Sequence, residues 1–68
     1  QIGEAIRARQ SMATYYTLTG AFPAAMAQLQ QARQISKDFH QQSQIDVQIR
    51  QLTQKIANER EVLQRFGG

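Results

Sequence analysis

Apolar side chains recur along this chain every three or four positions, the period of a helix with one buried face. Between Glu4 and Thr19 they are Ile6, Met12, Ala13 and Tyr16, with Ala5 and Ala8 alongside, so the spacing predicts a first helix over residues 4–19. Gly20 then supplies a position tolerant of positive φ, suited to the residue just past a helix C-terminus. Pro23 suits the first turn of a following helix, where its missing N–H leaves no bond unmade. A tight turn is therefore expected from Leu18 to Pro23. Phe22, Ala25, Met26, Leu29 and Ala32 share one face of a second helix over residues 23–36, and the small alanines allow close approach of its partner.

A third helix is expected over 38–66, a stretch with no Gly or Pro. Asp38 can accept from free backbone N–H groups at its start while Gln41 reaches back, a variant of the capping box, with Ser36 as the competing cap. Ile45, Ile49, Leu52 and Ile56, then Leu63 and Phe66, follow alternating steps of four and three, broken only at Glu59. That 3.5-residue period predicts a coiled-coil-like seam. Asp46 with Arg50 and Glu61 with Arg65 stand at the i,i+4 spacing of supportive ion pairs. A helix of this length spans about 43 Å, whereas one of roughly sixteen residues spans about 24 Å. The third helix should therefore overhang the other two, leaving Ile56, Leu63 and Phe66 exposed unless a second chain or another part of a longer protein covers them.

Composition narrows the class. Sixty-eight residues allow one small domain and leave little room for a cleft with a full catalytic shell. Hydrophobic residues at 41% are too many for disorder, and the polar residues are too evenly spread for a membrane span. Thirteen glutamines and nine alanines weight the chain toward an all-α fold. Starting at Gln1 and ending in Gly67-Gly68, it reads as a fragment of something longer. Absence of cysteine fits a reducing compartment and many bacterial envelope proteins alike. The formal charge of +3 permits weak attraction to anions without demanding a nucleic-acid partner.

Residues 12–32 carry the pattern Met12-Ala13-x-x-Tyr16-x-x-x-Gly20-x-Phe22-x-x-Ala25-x-x-x-Leu29-x-x-Ala32, which resembles the tetratricopeptide repeat, a helix-turn-helix unit of about 34 residues. Arg9 stands where that family usually has a bulky aromatic, and Lys37 where a proline usually closes the repeat. A shift of one repeat puts Val47, Arg50 and Gln54 on the Ala13, Tyr16 and Gly20 positions, so no second repeat follows. A single repeat leaves a neighbour to be supplied.

The longer run from Tyr15-Tyr16-x-Leu18-x-Gly20-x-Phe22 through Ala25, Leu29 and Ala32 to Phe39-x-x-x-Ser43-x-Ile45-Asp46-x-x-Ile49-x-x-Leu52 resembles the carboxy-terminal tetratricopeptide region of bacterial periplasmic zinc metalloproteases. This is the group that includes the β-barrel assembly-enhancing protease. Gln48 stands where that group tends to carry Arg. The resemblance implies a periplasmic location and a separate H-E-x-x-H domain holding the zinc. It also implies a helical tail that docks on proteins, either outer-membrane assembly machinery or unfolded barrel substrates. No cofactor is expected within these residues. Carried over residue by residue, the concave partner face would show Arg7, Gln10, Thr14 and Thr17.

Other candidate chemistry is thin. His40 has only Asp38 near it as a second metal ligand, short of the three or four a site needs. Ser43, His40 and Asp38 fall within two turns of a helix start, with no oxyanion donors implied. The glycines are isolated, so no phosphate loop is present. The eight Lys and Arg residues are interleaved with acids along all three helices. Tyr16 falls on the repeat's buried position, leaving Tyr15 as the exposed aromatic. Gln41, Gln42 and Gln44 either form a solvated helix face or hydrogen-bond an extended partner strand. The resulting expectation is a non-catalytic protein-interaction module that meets a homo-oligomeric copy or the rest of its parent chain, with no membrane insertion. The alternatives are a homodimerisation helix capped by the first two helices, and a basic helical nucleic-acid-binding domain.

Overall fold

A computed structural model describes the backbone of residues 1–66 and the side chains of residues 1–61. Three helices follow one another: α1 (Ile2–Leu18), α2 (Phe22–Ile35) and α3 (Phe39–Phe66). The fold is all-α, a helical hairpin followed by a longer third helix, as the apolar periodicity predicts.

The connections follow from local chemistry. At the end of α1, the Ala21 N–H donates to the Tyr16 carbonyl at 2.8 Å and the Gly20 N–H to the Thr17 carbonyl at 3.2 Å. Gly20 has φ of 83°. This is the Schellman arrangement, with glycine in the left-handed conformation that a Cβ would penalise. Pro23 lies in the first turn of α2, where no intrahelical donor is needed. The α2–α3 joint is built differently: Ser36 ends α2 in an extended conformation, and its side chain is buried.

At the start of α3 the Asp38 carboxylate accepts from the His40 N–H at 3.1 Å, and the Asp38 carbonyl accepts the first helical bond from Gln42 at 2.9 Å. Asp38 is thus the cap, but the reciprocal half of the expected capping box is not formed. Gln41 instead accepts from the Ser36 hydroxyl at 3.2 Å, while the Gln42 side-chain amide donates to the Ser36 carbonyl at 2.7 Å. The helix also begins earlier than expected in α1, where the Ala5 N–H reaches the Gln1 carbonyl at 3.1 Å and carries Gly3 into the first turn.

α2 packs against both neighbours, while α1 and α3 meet only lightly. The core consists of Ile6, Ala13, Phe22, Ala25, Leu29, Ala32, Ile45 and Leu52, with Tyr16, Met26, Ile35, Ile49 and Ile56 packed on its edges. Three alanines among the eight keep the helix surfaces shallow, so backbones approach closely where they interdigitate. Two expectations are corrected. Met12 is 42% exposed, since it lies about 100° around α1 from Ala13, which faces the core. Asp46 pairs across the helices with Arg33 rather than along α3 with Arg50, because α2 brings Arg33 directly alongside.

The seam of α3 is spent inside the chain. Ile45 and Leu52 are buried against the hairpin, and Ile49 and Ile56 are half-buried beside them. Ile56 is thus partly covered by this chain itself, contrary to the expectation of full exposure. Leu63 and Phe66 lie outside the described side chains, as does the expected Glu61–Arg65 pair. The overhang is real: α3 has 28 residues and α2 has 14, so α3 is longer by about 21 Å. Every described residue from Ala57 to Glu61 is exposed. The molecule measures 48 × 20 × 13 Å, with a radius of gyration of 13.4 Å, against about 11 Å for a compact chain of this length.

Candidate functional site

The light contact between α1 and α3 leaves a groove. Both helices lean on α2, and between them opens a cavity of about 190 Å³. Its floor is apolar, made by Ala13 of α1, Leu29 of α2 and Leu52 of α3, all of them core residues. One wall presents Gln10, Thr14, Thr17 and Leu18 from α1, and the other Gln48, Gln51 and Lys55 from α3. Gln10, Thr14 and Thr17 on one wall and Gln48, Gln51 and Lys55 on the other are spaced by three and four residues, so each set stands on one edge of its helix, with Leu18 adjoining Thr17.

The polar valences of the walls are only partly used. The Gln10 amide donates to the Gln48 carbonyl oxygen at 3.0 Å, a partly buried bond that joins α1 to α3. Thr14 and Thr17 donate to the carbonyls of Gln10 and Ala13, one turn back, at 3.1 and 2.7 Å. Their hydroxyl oxygens keep lone pairs with which to accept. The Gln10 carbonyl oxygen, the Gln48 amide nitrogen and both ends of the Gln51 amide make no bond among the described residues. Lys55 makes no ion pair there. Leu18 stands at the rim and is 81% exposed.

Three of the four residues named for a partner face, Gln10, Thr14 and Thr17, line this groove. Arg7 does not; it is exposed one turn before the cavity begins. Gln48, Gln51, Lys55 and Leu18 were not among the expected contacts. Their signal is present in the sequence as a polar stripe, Gln44, Gln48, Gln51 and Lys55, beside the apolar seam of α3. It becomes readable once the Gln10–Gln48 bond sets the register between the helices. Of the glutamines considered for a partner strand, Gln41 and Gln42 hold the Ser36 joint, and Gln44 is exposed.

The remaining sequence candidates fall elsewhere. Tyr15 is 58% exposed and meets half-buried Tyr16 edge-on, with centroids 5.6 Å apart. Asp38 spends a carboxylate oxygen on the His40 backbone N–H, as a helix cap does. Among the described residues no three His, Cys, Asp or Glu side chains cluster as metal ligands do, and no helix is long and apolar enough to cross a membrane. Arg9 donates to Gln28 at 3.1 Å across the hairpin. Arg33 is held above its ordinary pKa, first by its hydrogen bond to Asp46 and second by that carboxylate's charge. Comparison with protein-family models, with curated proteins and with solved structures gives no match.

Proposed function

We propose that the chain is a non-catalytic protein-interaction module that receives a segment of another polypeptide in the groove between α1 and α3. The observation that carries this reading is the combination of an apolar floor with walls of amides whose donors and acceptors are only partly used among the described residues. Such walls match the alternating N–H and C=O groups of a peptide backbone, while the floor takes a side chain. The volume argues in the same direction. About 190 Å³ is below the roughly 300–1,000 Å³ of small-molecule and cofactor sites, and it suits a single anchoring side chain.

The sequence resemblance extends the proposal to a parent protein. On that reading the chain is the docking tail of a periplasmic zinc metalloprotease, acting in outer-membrane protein assembly or quality control, with zinc held in a catalytic domain elsewhere. A helical hairpin followed by another helix is the architecture that resemblance implies. Self-association along the α3 seam is less favoured, because Ile45 and Leu52 already close the chain's own core.

The test is a titration of the isotopically labelled chain with reduced, carboxymethylated α-lactalbumin, an unfolded polypeptide, followed by amide chemical shifts. Shifts centred on Gln10, Thr14, Gln51 and Lys55 are expected. Saturable shifts confined to the Tyr15 side of α1 or to residues 57–61, or no shifts at millimolar concentration, would overturn the groove as the docking site.

A further inference from the structure

We infer that the groove selects an extended segment in which an apolar side chain is followed or preceded, two residues away, by an acidic one; the inference rests on the groove reading above. The groove runs from Gln10 and Gln48 at one end to Thr17 and Lys55 at the other, seven residues along each helix. At 1.5 Å per residue that is about 10 Å, the length of about three residues of extended chain. Its polar ends differ. The Gln10–Gln48 bond bridges one end with neutral amides, whereas the other end carries Lys55, the sole charged side chain among the described residues of either wall.

Lys55 has no carboxylate partner among the described residues, even though Glu59 stands one turn further along α3. The cation is therefore available to an incoming acid. The apolar floor lies beside Leu52, three residues before Lys55, which is about 4.5 Å along the helix. In an extended strand, side chains on the same face are two residues, about 6.6 Å, apart. A side chain seated over Ala13, Leu29 and Leu52 thus places its i+2 or i−2 neighbour within reach of the flexible Lys55 ammonium. The residue between points away from the floor and is unselected. The backbone of the same segment passes the free amides of Gln48 and Gln51.

The experiment uses fluorescein-labelled octapeptides in a Ser/Gly background, acetylated and amidated so that no terminal carboxylate is present. They carry Leu-Ser-Glu, Glu-Ser-Leu, Leu-Glu, Leu-Ser-Gln or Leu-Ser-Lys, and binding is read by anisotropy at low salt. At least one of the two acidic i,i+2 peptides is expected to bind about two- to fivefold tighter than the Gln peptide, the scale of one exposed ion pair. Lys55→Glu should abolish that preference and favour the Lys peptide instead, and Lys55→Gln should leave the peptides undiscriminated. Gln51→Trp, which fills the groove from its rim, should weaken all of them. Equal affinity for the Glu, Gln and Lys peptides overturns the inference, as does a preference that survives Lys55→Glu or appears only with a free carboxy-terminus. If carboxymethylated lactalbumin still shifts the groove amides while these peptides show no preference, the acidic selectivity fails and the groove reading stands.

Discussion

The side-chain amide of Gln10 donates to that of Gln48 across 3.0 Å, between two helices that otherwise barely touch. Among the described residues this is the side-chain hydrogen bond that spans the groove between α1 and α3. Gln10→Ala and Gln48→Ala should each lower stability by about 0.5–1.5 kcal/mol, the net scale of one hydrogen bond. The double variant should cost clearly less than the two losses added together, since either change removes the same bond. Urea melts of the four proteins measure this, and strict additivity would mean that the two amides do not act as a pair.

The glycines should divide sharply. Gly20 holds φ of 83° at the end of α1, so Gly20→Ala is expected to cost about 1–2 kcal/mol although a Cβ there would meet no atom within 4 Å. Gly3 sits in the first turn of α1 with the same open surroundings and no positive φ. Gly3→Ala should therefore stabilise the chain by a few tenths of a kcal/mol, up to about 1, through lower unfolded-state entropy. Thermal melts followed by circular dichroism separate opposite signs without needing absolute values.

Along α3 the cost of truncation should rise with burial, whatever the apolar character of the residue. Ile45 is fully buried, and Ile45→Ala is expected to cost about 2–5 kcal/mol. A chain of this size is stable by about 3–10 kcal/mol, so that variant should lose a large share of its stability and melt well below the parent chain. Ile56→Ala, at a half-buried edge, should cost about 1 kcal/mol, and Val47→Ala, 46% exposed, less than about 0.5. If α3 were instead a dimerisation helix, Ile45→Ala would weaken association while leaving the melting of the dissociated chain unchanged, which dilution would reveal.

What the sequence makes legible, and what it hides, follows from the range of each signal. The helical period assigned Ala13, Ala25, Leu29, Ala32, Ile45 and Leu52 to buried faces, because that signal resides within a single helix. Gly20 and Pro23 marked the turn because their backbone constraints act within a few residues. Periodicity is silent on the register between helices. It therefore left Asp46 beside Arg50 rather than Arg33, and it could not place Gln48, Gln51 and Lys55 opposite Gln10, Thr14 and Thr17. Met12 and Ala13 pose a related ambiguity: they are adjacent apolar residues about 100° apart on α1, and only the packing of the other helices decides which one is covered. The groove is legible in halves, one on each helix, and only the fold joins them.

Ser36 provides the sharpest case of a role invisible to pattern. It is buried at 3% exposure between two helices, and its hydroxyl reaches the Gln41 side chain while its carbonyl receives the Gln42 side chain. A serine next to Lys37-Asp38 reads as an ordinary helix-boundary residue, yet here it anchors the first turn of α3 onto the end of α2. Ser36→Ala keeps the carbonyl bond and loses the hydroxyl, so it should cost about 0.5–1.5 kcal/mol. Ser36→Val puts two methyl groups where one hydroxyl stood at a tightly covered site and should cost more, about 1–3 kcal/mol. Amide hydrogen exchange gives the more specific readout. Because the joint sets where α3 starts, protection in Ser36→Ala should fall first at Gln42 and Ser43, with Ala25 and Leu29 in α2 retaining the protection of the global fold. A uniform loss across α2 and α3 would show that Ser36 contributes only to overall packing, with no local hold on the start of α3.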